Sequence, residues 1–442
     1  MSDSLPLPAR PNLERYRKLA KDFQRAAGST DREAIRNWAG RWATAFSWLN
    51  SNGGTPEVNN QSADAVKHIE RRWQRFVTDN KLTPPYTLVK AQFFLAREHG
   101  FASWPKFAQH VEGLARASSQ ISKFEAAADA IVDGDMAALE KLVVENRELV
   151  RARSTREHKS TLLHYVSANG VEDFRQRTPP NIVEIAKFLL EAGADVNAES
   201  DAYGGGSTTL MLTATSYHPE KAGVQIALLQ LLIARGAVID SPGGSGAVNA
   251  CLRNGRLAAS EYLARHGARL DLEGAAGVGL LDQVRGFFDR KGALLPSATK
   301  PQMIDGFAWA CQFGRTNVVE FLLERGMEVG AKLRHHGQTG LHWAAYNGHT
   351  STVKLLLGRG SAVDVKDAEF SGTPLDWALY GWRNSVAAIS GGYYEVVAML
   401  VRHGARLDAD WYEGDDDRRR AAEKIRADLR MAAALRGESQ AG

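Results

Sequence analysis

The sequence of 442 residues predicts an all-α fold in which similar helix pairs are stacked along the chain. A glycine repeatedly follows a leucine-rich segment, as in "LLEAGADVNA" at Gly193 and "LLERGMEVG" at Gly326. Gly292, Gly326 and Gly360 are separated by 34 residues each, which indicates a repeat period. Apolar residues recur at helical spacing within each unit, so one helix pair needs a neighbour to cover its apolar face.

Two segments carry a resemblance to a known family. The segment "TGLHWAAYNGHTSTVKLLLGRGSAVD" (339–364) is similar to a nearly complete ankyrin repeat, and "TPLDWALYG" (373–381) resembles the start of another. The resemblance covers roughly residues 122–411. It implies stacked helix–turn–helix units joined by β-turn fingers, with a concave groove lined by the fingers and by the first helix of each unit.

The repeats predict an irregular ankyrin-repeat solenoid of about eight units. The first unit is degenerate, as expected for an end cap, and the Gly267–Gly292 spacing of 25 residues predicts that the finger between repeats 4 and 5 is missing. We expect the first helices of the units to start near Lys123, Thr161, Thr208, Gly246, Glu273, Asp305, Thr339 and Thr373.

The regions that flank the repeats are predicted to be helical as well. We expect an N-terminal helical region at 1–118, the solenoid at 119–412, and a C-terminal capping helix and tail at 413–442. The motif "AREHGFASWPKF" resembles a short module that precedes ankyrin repeats in many bacterial proteins, which implies a bacterial source. Near the C-terminus, Ile425, Leu429 and Leu435 are predicted to mark the buried face of the capping helix.

Composition excludes several classes of protein. The sequence shows no signal-peptide pattern, no apolar run of membrane-span length and only two cysteines, so we expect a cytoplasmic protein. The net charge is +4, but residues 1–120 hold 18 Lys and Arg against 11 Asp and Glu. Arg71, Arg72 and Arg75 belong to this basic region, which leaves nucleic-acid binding as an alternative function, although such residues more often coat a solvated helix.

Three repeats carry insertions where a tight turn joins the two helices of an ordinary unit, at 170–181, 217–223 and 381–392. The insertions of repeats 2 and 3 should lie side by side, and insertions in a solenoid are often binding sites. We expect the polar side chains there, at the adjoining helix ends and in the finger of repeat 3 to bind a ligand; these are Asn169, Arg175, Arg177, Tyr203, Thr215, Ser216, Asn254 and Arg256. The alternative is that these groups hold down their own loops.

His218 is the best acid–base candidate in the sequence, because imidazole titrates near neutrality. Glu220 could orient the ring, and Arg175 or Arg256 could hold an anionic substrate. Cys251 and Cys311 occupy small-residue packing positions and are expected to be buried. No set of histidines has the spacing of a zinc site, and we predict no metal and no cofactor.

The last three repeats are aromatic. Trp309, Trp343 and Trp377 take equivalent positions and are expected to pack between helices. The residues that follow them on the same helices are expected to contact a partner in the groove; these are Phe313, Tyr346, Asn347, Tyr380 and Trp382.

Three functions stay open at this point. The resemblance implies a binding protein that holds a protein, peptide or small anionic ligand in its groove. The insertions of repeats 2–4 suggest an enzyme or small-molecule receptor as the alternative. Nucleic-acid binding by the N-terminal region is the second alternative.

Overall fold

The computed structural model describes residues 4–8, 11–29, 33–47, 61–240, 246–332, 337–384, 392–407 and 416–438. The chain divides into two compact units, Met1–Ile239 and Asp240–Gly442. This division falls inside the predicted solenoid, and the predicted boundary at residue 118 lies within the first unit, so that boundary stays a prediction. None of the described helices is both long enough and apolar enough to cross a bilayer.

In the part of the chain that the structure describes, the first unit begins with five helices: α1 (Leu13–Ala27), α2 (Ala34–Ser47), α3 (Gln61–Asp79), α4 (Leu88–Glu98) and α5 (Trp104–Leu114). Aromatic side chains fill the space between them. The Phe23 ring lies 4.2 Å from that of Trp38 and 4.7 Å from that of Trp73, measured between centroids. Because aromatic rings bury large areas, this cluster is the core of the N-terminal helices.

Three repeats complete the first unit. They consist of α6 (Gln120–Asp133) with α7 (Met136–Glu145), a 3-10 helix (Leu162–Ser167) with α8 (Ile182–Glu191), and α9 (Thr209–Thr215) with α11 (Gln225–Ala234). The insertion of repeat 3 forms the short helix α10 (Tyr217–Lys221). A two-stranded antiparallel hairpin, β1 (Glu199–Ser200) and β2 (Ser207–Thr208), precedes α9 and is the finger of repeat 3.

The described residues of the second unit form five further helix pairs and a C-terminal pair. The repeat pairs are α12 (Ala247–Arg253) and α13 (Leu257–Arg265), α14 (Leu272–Gly277) and α15 (Leu281–Arg285), α16 (Lys300–Gln312) and α17 (Thr316–Glu324), α18 (Gly340–Tyr346) and α19 (Thr350–Gly358), and α20 (Pro374–Asn384) and α21 (Tyr393–Arg402). The C-terminal helices are α22 (Asp416–Ala427) and α23 (Leu429–Ala434).

The predicted fold class and repeat register are confirmed. First helices occur at all eight predicted places, although α16 begins at Lys300, ahead of the predicted Asp305. Residues 266–271 alone connect α13 to α14, which is the predicted missing finger. Cys251 and Cys311 are buried, as expected, and burial raises the pKa of Cys251 to about 12.

Two histidines at equivalent positions join neighbouring repeats. Thr161 donates its backbone N–H to Nδ1 of His164 at 3.1 Å, and the His164 Nε2 lies 3.2 Å from the Ser207 carbonyl oxygen. His342 repeats the arrangement, with its Nε2 at 3.2 Å from the Gly372 carbonyl oxygen. Because Nδ1 accepts a hydrogen bond, Nε2 carries the proton of the neutral ring and ties each first helix to the next finger.

The prediction for the C-terminal helix is wrong in one respect. Ile425 is buried, but Leu429 is 82% exposed. The helix breaks at Asp428, whose side chain accepts hydrogen bonds from the N–H groups of Arg430 and Met431 and so caps a new helix. The break changes the helical phase, and Met431 takes the buried position instead.

Candidate binding surfaces

Three of the predicted ligand-binding residues lie together in repeats 2 and 3. Tyr203 donates its hydroxyl proton to Oδ1 of Asn169 at 2.6 Å. Asn169 Nδ2 in turn donates to Oγ1 of Thr215 at 3.2 Å and to the Leu212 carbonyl oxygen at 3.1 Å. The polar groups therefore meet, but they hydrogen-bond one another, and their role in holding a ligand stays a prediction.

Tyr203 is held in an uncommon backbone conformation at the tip of the β1–β2 hairpin. Its φ is +52°, in the left-handed region that costs a non-glycine residue energy, and 69% of the residue is exposed. The three following glycines, residues 204–206, also have positive φ. Together they let the chain reverse while the Tyr203 ring reaches the end of the first helix of repeat 2.

Arg175 does not have the predicted role. It is buried, its Nη1 donates to Oε2 of Glu125 at 2.8 Å, and its Nε donates to Oδ1 of Asp129 at 2.8 Å. Nη1 also lies 3.3 Å from Oε1 of Glu172. Because a guanidinium has only five N–H donors in a fixed fork, these carboxylates leave it unsuited to clamping an outside anion.

Arg175 belongs to a buried ion network that the sequence reading missed. Arg156 Nη1 donates to both carboxylate oxygens of Glu125 at 2.8 Å and lies 2.9 Å from Oε1 of Glu172. Burial tends to raise the pKa of Glu125, but Arg156 and Arg175 lower it to about 2. The carboxylates of Glu125 and Glu172 thus neutralise the two guanidinium groups. In the sequence, the only local sign of this network is a glutamate, Glu125, among the alanines of α6.

The network extends to His158. The backbone N–H of Ser160 donates to Nδ1 of His158 at 3.1 Å, so the neutral ring carries its proton on Nε2. That Nε2 lies 3.5 Å from Oε1 of Glu172. Within the described part of the chain, no group of three or more histidine, cysteine, aspartate or glutamate side chains is arranged to hold a metal ion.

Arg177 and Ser216 also have partners within the first unit. Arg177 Nη2 lies 2.8 Å from Oδ1 of Asp133 at the surface. Ser216 is buried, and its hydroxyl oxygen lies 3.5 Å from the Ala168 carbonyl oxygen. Ser216 therefore packs between repeats rather than lining an open surface, which corrects its predicted exposure to a ligand.

His218 is half-buried at the start of α10. Partial burial lowers its pKa, Asp173 raises it and Lys221 lowers it. The orientation of the imidazole by Glu220, and any catalytic role for the pair, stay predictions. Asn254 and Arg256 belong to the second unit, where Arg256 Nε donates to the Asn254 carbonyl oxygen at 2.8 Å.

Aromatic rings cover one side of the first helices of repeats 6–8 in the second unit. The Trp343 and Trp377 centroids are 5.1 Å apart with the rings edge to face, and the Tyr346 and Tyr380 rings are stacked 6.1 Å apart. Trp377 also meets Tyr346 edge to face at 5.7 Å. We call the whole set the aromatic face: Trp309, Phe313, Trp343, Tyr346, Phe370, Trp377 and Tyr380.

The most exposed rings of the aromatic face are Tyr380, at 54%, and Phe370, at 63%. The sequence reading missed Phe370, which lies in the finger of repeat 8. Asp367 fixes this finger, because its carboxylate accepts hydrogen bonds from the backbone N–H of Phe370 at 2.7 Å and from Trp377 Nε1 at 3.0 Å. In the sequence, Phe370 is an apolar residue among the charged residues of this finger, and that is the signal by which it could have been identified.

Trp382 does not belong to this surface, contrary to prediction. It is only 2% exposed and packs in the core of the second unit, with the Lys424 ammonium 4.8 Å from its ring centroid. Two residues correspond to 200° of helical rotation, so Trp382 and Tyr380 point to opposite sides of α20. Asn347 is half-buried and donates from Nδ2 to the Trp343 carbonyl oxygen at 3.1 Å, at the end of α18.

Carboxylates accept hydrogen bonds from two indole N–H groups of this face. Trp309 Nε1 donates to Oε1 of Glu273 at 3.1 Å, just as Trp377 donates to Asp367. Arg253 Nη2 lies 3.0 Å from the same Glu273 oxygen. Because the indoles of Trp309 and Trp377 are fixed by a hydrogen bond as well as by packing, these two rings are preorganised.

Comparisons with known proteins identify the repeats. A family of ankyrin repeats, in three copies, matches residues 307–410, and a single ankyrin repeat matches residues 158–201. The crystal structure of the human ASB11 ankyrin repeat domain is similar at 20% identity and a TM-score of 0.32, over 64% of this chain and 99% of that chain. No curated protein matches. The two family matches show that the chain contains ankyrin repeats, which generally bind protein partners.

Proposed function

We propose that the protein binds a protein partner through the aromatic face, which takes an extended segment carrying apolar side chains. The stack of Tyr346 on Tyr380 carries this proposal. Buried tyrosine and tryptophan anchors supply most of the binding energy in protein interfaces, because they add large contact area at a small cost in conformational entropy. Here such rings are already ordered before a partner arrives.

The rings of the aromatic face fall into two groups: rings that pack against their neighbours, and exposed rings that a partner can contact. Trp343 and Trp377 are half-buried and contact their neighbours edge to face, so they support the surface. Tyr380 and Phe370 are exposed and offer contact area. A ring such as Tyr346, half-buried and stacked on an exposed neighbour, is well placed to become fully buried when a partner binds.

The test begins with selection of peptides from a random library against the full-length protein. The affinity of the selected peptide is then measured by fluorescence polarisation for wild type, for Tyr346→Ala with Tyr380→Ala, and for Tyr217→Ala. Tyr217 is a matched control, because it is 52% exposed and lies in the other unit. We expect the double variant to lose about 2 kcal/mol or more, roughly 30-fold, and the control to bind as wild type does.

Unchanged affinity of the double variant, with the helical circular dichroism of wild type, would place the binding surface elsewhere. Failure of the library to yield any peptide would also count against the proposal. Competition by the full partner for the selected peptide extends the test to the natural complex.

A further inference from the structure

An arginine-rich cavity lies in the first unit, between the N-terminal helices and the segment that enters repeat 2. Its volume is about 670 Å³, within the range of about 300–1,000 Å³ that is typical of small-molecule sites. One wall is the face of α3 that carries His68, Arg71, Arg72 and Arg75. Their spacing of three, four and seven residues places all four side chains on one side of the helix.

Two of the arginines in the cavity have carboxylate partners. Arg72 forms an ion pair with Glu98, and Arg97 forms one with Glu157; all four residues line the cavity. These pairs connect α3 and α4 to the segment that enters repeat 2. They fix the shape of the walls and cancel the charge of those two guanidinium groups.

The other two arginines, Arg71 and Arg75, are exposed, and among the described residues neither has a carboxylate partner. Arg71 donates from Nε to the Lys67 carbonyl oxygen at 3.3 Å, which leaves its two terminal nitrogens available. Across the residues that the structure describes, Arg75 makes neither a hydrogen bond nor an ion pair. Four residues apart on one helix, the two groups present paired N–H forks to the same space.

The cavity also has an apolar part. Phe76 and Phe93 line it, and their ring centroids are 5.4 Å apart in an edge-to-face arrangement. A ligand can therefore place an anionic group against α3 and an uncharged organic part against the two rings.

We propose that this cavity binds a small phosphate monoester, with the phosphate held by Arg71 and Arg75 and the organic part against Phe76 and Phe93. The guanidinium fork matches the geometry of phosphate oxygens and forms charge-assisted hydrogen bonds with them. The carboxylates of Asp79, Glu98 and Glu157 also line the cavity and would repel a long polyanion. A compact ligand with one anionic group fits this distribution better than a nucleic acid strand does.

The probes are adenosine 5′-monophosphate, inorganic phosphate, adenosine and a single-stranded RNA of about 16 nucleotides, which spans a single-strand binding site. Binding to the full-length protein is measured by isothermal titration calorimetry. The test variant is Arg71→Gln with Arg75→Gln. The matched control is Arg41→Gln with Arg116→Gln, which removes the same charge from exposed positions outside the cavity.

We expect wild type and the control to bind the nucleoside monophosphate equally and the test variant to bind it at least about tenfold more weakly, because two charge-assisted contacts are lost. Asp79→Asn should tighten binding, a gain that a misfolded variant cannot produce. Adenosine should not bind measurably, and inorganic phosphate should compete with the nucleotide.

Three results would overturn the proposal. The first is a wild-type protein that binds neither the nucleotide nor phosphate. The second is equal binding of the nucleotide by wild type and by the test variant. The third is binding of the RNA alone, which would make this wall of α3 a nucleic-acid surface. None of these results bears on the aromatic face of the second unit.

Discussion

Arg175 Nη1 lies 2.8 Å from Oε2 of Glu125, and both side chains are buried. This contact joins the insertion of repeat 2 to α6 of repeat 1. Two residues further along the same insertion, Arg177 pairs with Asp133 at the same distance of 2.8 Å, but both of those side chains are more than half exposed. Both are ion pairs between an arginine and a carboxylate with the same N–O distance, and they differ in burial. They therefore allow the effect of burial to be compared directly.

We predict that Arg175→Met lowers the free energy of unfolding by about 3–5 kcal/mol, because it leaves the buried carboxylates without enough positive charge. Arg177→Met should cost less than about 1 kcal/mol, because water screens the exposed pair. Urea denaturation followed by circular dichroism measures both. Equal losses for the two variants would contradict the prediction, because burial of the Arg175 pair would then make no difference to its effect on stability.

The stability of the protein should fall in mild acid because of buried neutral histidines. Burial lowers the pKa of His99 to about 3 and the pKa values of His110 and His164 to about 4. Unfolded histidine binds a proton near pH 6.5, so the stability from these groups is complete above that pH and is lost as the pH falls toward their folded values. Each contributes a slope of about 1.4 kcal/mol per pH unit in that window.

The measurement is the urea midpoint at several pH values between about 7.5 and 4.5. His164→Gln should show a shallower decline than wild type, because one histidine with a lowered pKa no longer titrates. His266→Gln should follow wild type, since His266 is exposed. A midpoint that stays constant below pH 6.5 would contradict the prediction. Below about pH 4.5, protonation of Glu125, whose folded pKa is about 2, adds a further loss.

The break at Asp428 predicts opposite outcomes for two neighbouring apolar residues. Ile425→Ala should destabilise the second unit by about 2–5 kcal/mol, because it opens a cavity in a packed core. Leu429→Ala should change stability by less than about 0.5 kcal/mol, because Leu429 is exposed. Thermal unfolding of the two variants distinguishes this arrangement from a continuous helix, in which both substitutions would be costly.

Local patterns in the sequence determined the positions of the helices, the repeat register and the equivalence of Trp309, Trp343 and Trp377. Helical periodicity and a glycine that ends a helix act over a few residues, so they can be read without knowledge of distant contacts. The same patterns placed Tyr346 and Tyr380 on matching helices. The structure shows their rings stacked.

Only the tertiary structure decided which polar side chains already have an ion-pair or hydrogen-bond partner within the protein. Arg175 is satisfied by Glu125, 50 residues earlier in the chain, and nothing in the insertion itself indicates that partner. Trp382 follows Tyr380 by two residues, yet it is buried in the core of the second unit, with the Lys424 ammonium over its ring. The cavity beside α3 likewise forms only because the fold brings Arg97 and Glu157 to the same cavity as Arg71 and Arg75. Burial and charge pairing depend on which distant segments pack together, and a single sequence carries no local signal of that.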